Sequence, residues 1–169
     1  MILVESDASA EWDSSRSLAA LAEGAVRAAV GASRHHALID SPLSLEVSVK
    51  FTVDEEVRAL NATYRGKDKP TNVLSFPMME ADLLASITDV DGGEVLLGDI
   101  VLAHGVCARE AEAKAIPAED HAAHLVVHGT LHLLGYDHEQ GTQEAEAMEQ
   151  VEREALAGLG IADPYAVQG

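Results

Sequence analysis

Glu94-Val95-Leu96-Leu97-Gly98-Asp99-Ile100-Val101-Leu102-Ala103 is a nearly continuous apolar run. A strand with one wet face alternates apolar and polar side chains. This one does not, so it reads as a strand covered on both faces, as in sheets flanked by helices. Upstream, Leu45, Val47, Val49 and Phe51 alternate with Ser44, Glu46, Ser48 and Lys50. That is the pattern of a half-buried strand over Leu43 to Phe51. Ile2 to Val4 and Thr71 to Phe76, closed by Pro77, supply two shorter strands.

Helical periodicity fills the intervals. Ser15 to Val30 carries Leu18, Leu21, Ala22, Ala25 and Val26 on one face, and Gly31 is a candidate terminator. A second helix opens after Thr52, with Thr52 or Asp54 as cap and Val57, Leu60 and Tyr64 along it. From about Cys107 the chain reads as helical, with breaks at Pro117 and around Gly141-Thr142. Glu80 to Gly93 is polar with a Gly-Gly pair and reads as a loop or hairpin, whose role as a lid is left open. The expectation is one α/β (α+β) domain spanning residues 1–169, with about four strands in a mixed sheet packed with helices.

The 169 residues suffice for one core without disulfides, and the single cysteine, Cys107, excludes an internal one. The N-terminus lacks the basic segment and apolar core of a signal peptide, and no apolar run approaches the ~20 residues of a membrane helix. A cytoplasmic protein with no membrane or DNA partner is expected. The net charge of −18 opposes nonspecific attachment to phosphate backbones, although a local basic patch is compatible with it.

The chemistry concentrates in His128-Gly129-Thr130-Leu131-His132-Leu133-Leu134-Gly135-Tyr136-Asp137-His138. Two histidines four apart on a helix share one face, one turn apart. Gly135 tolerates the left-handed backbone that ends a helix, so the chain can turn and bring His138 back. Three neutral imidazoles leave one tetrahedral position open, the arrangement of a catalytic zinc site. His128, His132 and His138 are therefore the expected ligands of one zinc ion. His121 and His124 read as helix surface or as supports behind the ligands.

The same His-x-x-x-His-x-x-Gly-x-x-His skeleton occurs in metzincin proteases, which place a glutamate base directly after the first histidine. Here that position is Gly129, which carries no base. The chain instead resembles the YbeY family of endoribonucleases. Residues 128–138 match its His-Gly-x-Leu-His-Leu-x-Gly-Tyr-Asp-His pattern, and Leu60-Asn61, Tyr64-Arg65 and Lys67 through Pro77 resemble its second signature. Leu97-Gly98-Asp99-Ile100 is a third match, and Asn72 stands where many members carry Asp.

This resemblance implies single-strand RNA cleavage at a three-histidine zinc site and a part in 16S ribosomal RNA 3′-end maturation and ribosome quality control. It implies rRNA as substrate, and the small ribosomal subunit with its assembly factors as partners. It also marks Arg65 and His128 as catalytic. Arg65 can grip a phosphate in a bidentate manner. Lys67, Thr71 and Ser75 are further candidates for substrate contact. Asp137 or Asp99 is a candidate base, and Asp137 more readily orients a metal histidine. Two alternatives remain from the residues: a zinc peptidase or amide hydrolase, and a non-catalytic assembly factor stabilised by its metal.

Overall fold

The sheet has four strands in the order β1-β2-β4-β3, with β1 (Ile2–Ala8), β2 (Ser44–Thr52), β3 (Val73–Pro77) and β4 (Glu94–Ala103). β1, β2 and β4 run parallel, and β3 is antiparallel to β4 at the edge. The computed structural model describes residues 1–14, 17–80, 83–84, 93–137 and 141–165. Most of the Glu80 to Gly93 stretch, Ser15 and His138 lie outside the described residues.

Five α-helices, α1 (Leu18–Ala32), α2 (Asp54–Arg65), α3 (His104–Lys114), α4 (Ala118–Leu133) and α5 (Thr142–Gly158), and a short 3-10 helix (His36–Ile39) accompany these strands among the described residues. The alternation read in β2 sorts its side chains as expected. Leu45, Val47, Val49 and Phe51 enter the main core with Val26, Val30, Val126 and Leu131 from α1 and α4. On the opposite face, α2 lays Val57 and Leu60 against Leu74, Val101 and Ala103. The second half of β4, Ile100 to Ala103, is thus buried on both faces, whereas Leu96 near its start is exposed, which limits the expected double cover to that half.

Three local expectations are corrected. Strand β1 extends to Ala8, paired residue by residue with β2 as far as Phe51. Gly31 does not end α1, which continues to Ala32; a Cβ at Gly31 would stand 3.1 Å from Ile39 Cδ1, so the glycine serves close packing. Asp54 does not cap its own helix. Its Oδ1 accepts from the backbone N–H groups of Gly105 at 2.8 Å and Val106 at 3.2 Å. These are first-turn donors of α3, which lack partners within their own helix. This remote cap lets α3 begin at His104, ahead of the expected Cys107.

Candidate active site

Helix α4 carries the site. Glu119 and Asp120 lie in its first turn, where the positive end of the helix dipole favours them. Most of its remaining residues are buried, so the helix runs through the core. Its polar face is a stripe of histidines: His121, His124, His128 and His132, spaced three, four and four. Successive ring centroids are 6.1, 6.5 and 4.6 Å apart.

The helix ends as Gly135 predicts. Gly135 has φ 97°. Its N–H bonds to the His132 carbonyl at 3.0 Å, and the Tyr136 N–H reaches back to Leu131 at 2.9 Å. This doubly closed end is the Schellman motif, which needs a left-handed residue at that point. Tyr136 is then locked inside, its ring under the Arg34 guanidinium at 4.1 Å and its hydroxyl accepting from Arg34 N–H at 2.9 Å. The turn sends Asp137 to the lining of the cleft.

His128 Nε2 and His132 Nε2 stand 3.1 Å apart. Two imidazoles bound to one tetrahedral zinc at about 2.0–2.1 Å have nitrogens about 3.3 Å apart. The pair therefore fits a shared metal with little rearrangement. No group of three His, Cys, Asp or Glu side chains suited to a metal occurs among the described residues. His138, the expected third ligand, lies outside them.

The two histidines line a cleft of about 650 Å³ together with Arg65, Thr71, Ser75 and Asp137. β3 forms one wall. Leu74 and Phe76 face α2, whereas Thr71, Val73, Ser75 and Pro77 line the cleft. Arg65 arrives from the last turn of α2, where a cation suits the negative helix end. Gly66, at φ 68°, turns the chain away after it. The Arg65 guanidinium donates to the Ser75 carbonyl at 3.3 Å.

Lys67 falls elsewhere. It lines an adjoining cavity of about 420 Å³ with Lys69, and that cavity shares Arg65, Thr71, Asn72 and Val73 with the main cleft. Buried Asn61 pins this basic loop, donating from its amide to the Lys69 carbonyl at 2.8 Å and accepting at its own carbonyl from Lys67 N–H at 3.2 Å. Asp99 is also displaced: it lines a cavity with Lys50, Tyr64 and Met78, away from the histidines. It does not line the cleft, so it is not placed to act as the base.

Sequence reasoning missed the groups behind the histidines. Glu152 of α5 is fully buried. Its Oε1 accepts from His128 Nδ1 at 2.5 Å, and its Oε2 faces His124 Nε2 at 3.3 Å and the Tyr165 hydroxyl. Burial pushes the Glu152 carboxyl up, but the hydrogen bonds from His124, His128 and Tyr165 and the interaction with His128 outweigh it and leave the group at about 2. The carboxylate against His128 Nδ1 is thus Glu152's, while Asp137 lines the cleft. Further along the stripe, His121 Nε2 meets Glu110 at 2.9 Å, and Asn72 Nδ2 donates to the same carboxylate at 3.1 Å. His121 and His124 are buried, so the surface reading of both is corrected. One signal for Glu152 was present: it falls on the stripe of Met148, Ala155 and Leu156, an acid in an apolar row.

The family sequence model described as Endoribonuclease YbeY matches residues 8–160. The chain belongs to the YbeY family. A relative named Endoribonuclease YbeY from Rhizorhabdus wittichii is 56% identical over 99% of this chain and 98% of its own length. Another of that name, from Sphingopyxis alaskensis, is 52% identical over 99% of both chains. The solution structure of TM1509 from Thermotoga maritima shares the fold, with TM-score 0.55 and 23% identity over 99% of this chain and 100% of that one. The YbeY-like segments quoted from the sequence, around Arg65 to Pro77 and His128 to Asp137, border one cleft.

Proposed function

We propose that the chain is a metal-dependent, single-strand-specific endoribonuclease that matures ribosomal RNA. The observation that carries this reading is the apposition of His128 and His132 in a cleft that also holds Arg65. In this reading His128, His132 and His138 hold one zinc ion. When bound, zinc supplies Lewis acidity that polarises a phosphoryl oxygen and acidifies water. Arg65 binds the scissile phosphate and offsets the charge that develops on it. Thr71, just before β3, and Ser75, on it, contact the RNA strand beside that phosphate. Asp137 is the acid among the described lining residues, in place to take a proton. Lys67 acts farther out, on a neighbouring phosphate, because its cavity adjoins the cleft.

Action in the cytoplasm on the 16S rRNA 3′ end and in ribosome quality control, beside the small subunit and its assembly factors, is the part supported by family membership. Peptide hydrolysis is disfavoured by Gly129, which carries no base and where a Cβ would stand 3.0 Å from Ile100 Cγ2. The test is incubation of zinc-loaded protein with an RNA containing paired and unpaired segments, and separately with peptides. Cleavage confined to unpaired RNA, abolished by His128→Ala, is expected. Intact RNA with wild type, or equal cleavage by His128→Ala, overturns the reading. Absence of stoichiometric transition metal after loading overturns the metal assignment.

A further inference from the structure

We propose that Glu152, held by Tyr165 and His124, is a positioning residue that fixes His128 with its Nδ1 protonated and its Nε2 lone pair directed into the cleft. The inference rests on the metal reading above and extends it to residues of α5 and the segment beyond it.

A carboxylate in a core is costly unless its oxygens are satisfied. Glu152 is fully buried, and its described partners are two histidines and a tyrosine hydroxyl, with no lysine or arginine among them. A carboxylate only accepts hydrogen bonds, so His128 must donate from Nδ1 across the 2.5 Å contact. A neutral imidazole that donates from one nitrogen accepts at the other. His128 Nε2 is then the ligating nitrogen, and it is the atom that faces His132. Metal-bound histidines commonly depend on such a carboxylate to set tautomer and ring orientation.

Tyr165 makes the carboxylate rigid. Its hydroxyl and His124 share Oε2, which leaves Oε1 to His128. The tyrosine is itself fastened. Its backbone N–H donates to Asp163 Oδ1 at 2.8 Å, and Asp163 Oδ2 pairs with Arg153 Nε at 3.2 Å. The Arg153 guanidinium lies 5.4 Å from the Tyr165 ring centre. A segment beyond α5 thereby reaches the back of the histidine pair.

The test compares wild type, Glu152→Gln and Tyr165→Phe. Zinc affinity is read by competition with a chromophoric chelator, and the His128 tautomer by ring ¹⁵N shifts of metal-free protein. Wild type is expected to show the Nδ1–H form. Glu152→Gln, whose amide can donate to Nδ1, is expected to shift the ring toward the Nε2–H form and to weaken zinc binding about 10–100-fold. Tyr165→Phe is expected to weaken binding by a smaller factor, with metal-free thermal stability held within a few degrees. A folded Glu152→Gln with unchanged zinc affinity overturns the proposal, as does a wild-type Nε2–H ring. If Glu152→Gln does not fold, Tyr165→Phe with unchanged affinity and ring shifts overturns it. Failure of wild type to bind zinc overturns the metal reading instead, and the ring shifts then decide the clasp alone.

Discussion

Gly129 lies against Ile100: a Cβ built on the glycine would stand 3.0 Å from Ile100 Cγ2 and 3.3 Å from its Cγ1 and Cδ1. Ile100 is fully buried in β4. Gly129→Ala gains about 1 kcal/mol of helix propensity. Crowding a packed core costs about 1–3 kcal/mol. The expected net result is a loss of about 1 kcal/mol, read by urea unfolding. Gly129→Glu is expected to lose more and to gain no peptidase activity. Stabilisation by Gly129→Ala would show that β4 yields easily and that the close approach is incidental.

Arg65 is exposed, and its guanidinium meets the Ser75 carbonyl at the cleft. Arg65→Glu is expected to cut RNA cleavage by at least 100-fold while leaving the thermal midpoint within a few degrees. Lys67→Ala, in the adjoining cavity, is expected to lower cleavage by less than tenfold, with the deficit growing at higher salt. Equal effects of the two substitutions would contradict the placement of Arg65 at the scissile phosphate.

Gly98 is a position in β4 with no room for a side chain beside β3. A Cβ there would fall 2.4 Å from the Phe76 carbonyl oxygen and 2.7 Å from Leu133 Cδ2. The position also coincides with the register shift between β2 and β4. Gly98→Ala is expected to destabilise by about 2–3 kcal/mol and to disturb the β3 wall, so unfolding and RNA cleavage should both respond. An unfolding midpoint equal to wild type would refute the packing argument.

Burial, reinforced by the charges of Glu110 and Asp54, pushes the Cys107 thiol up to about 12. A raised pKa in the folded state favours the neutral thiol. The associated stability is complete below the unfolded value of about 8.5 and is lost as pH rises toward about 12. Native protein is therefore expected to resist thiol reagents at pH 8 and to react stoichiometrically once unfolded. Rapid labelling of native protein would contradict the burial.

The elements visible in the sequence are those whose side chains carry a period. β2 was legible because its side chains alternate, β4 because its apolar run is unbroken, and Gly135 because only a left-handed residue closes that helix end. β1 was read short because beyond Val4 its residues are exposed and it is held by backbone pairing with β2, which leaves no side-chain pattern. The start of α3 was hidden because its cap, Asp54, lies 51 residues away. At the site, His128, His132, Arg65, Thr71 and Ser75 were legible as types in a pattern. Glu152 left only the trace of an acid in the apolar row of α5, and Tyr165, in a turn beyond that helix, left none, because the groups they meet lie elsewhere in the chain.

Timing follows from the reach of Tyr165. Glu152 comes 24 residues after His128, and Tyr165 a further 13 after that. At about 5–20 residues per second of synthesis, the histidine pair precedes its full support by roughly 2–7 s. A nascent chain thus carries His128 unaligned until α5 and the segment after it have emerged. The carboxylate that fixes His128, and the hydroxyl that steadies it, are thus made after the residues they serve.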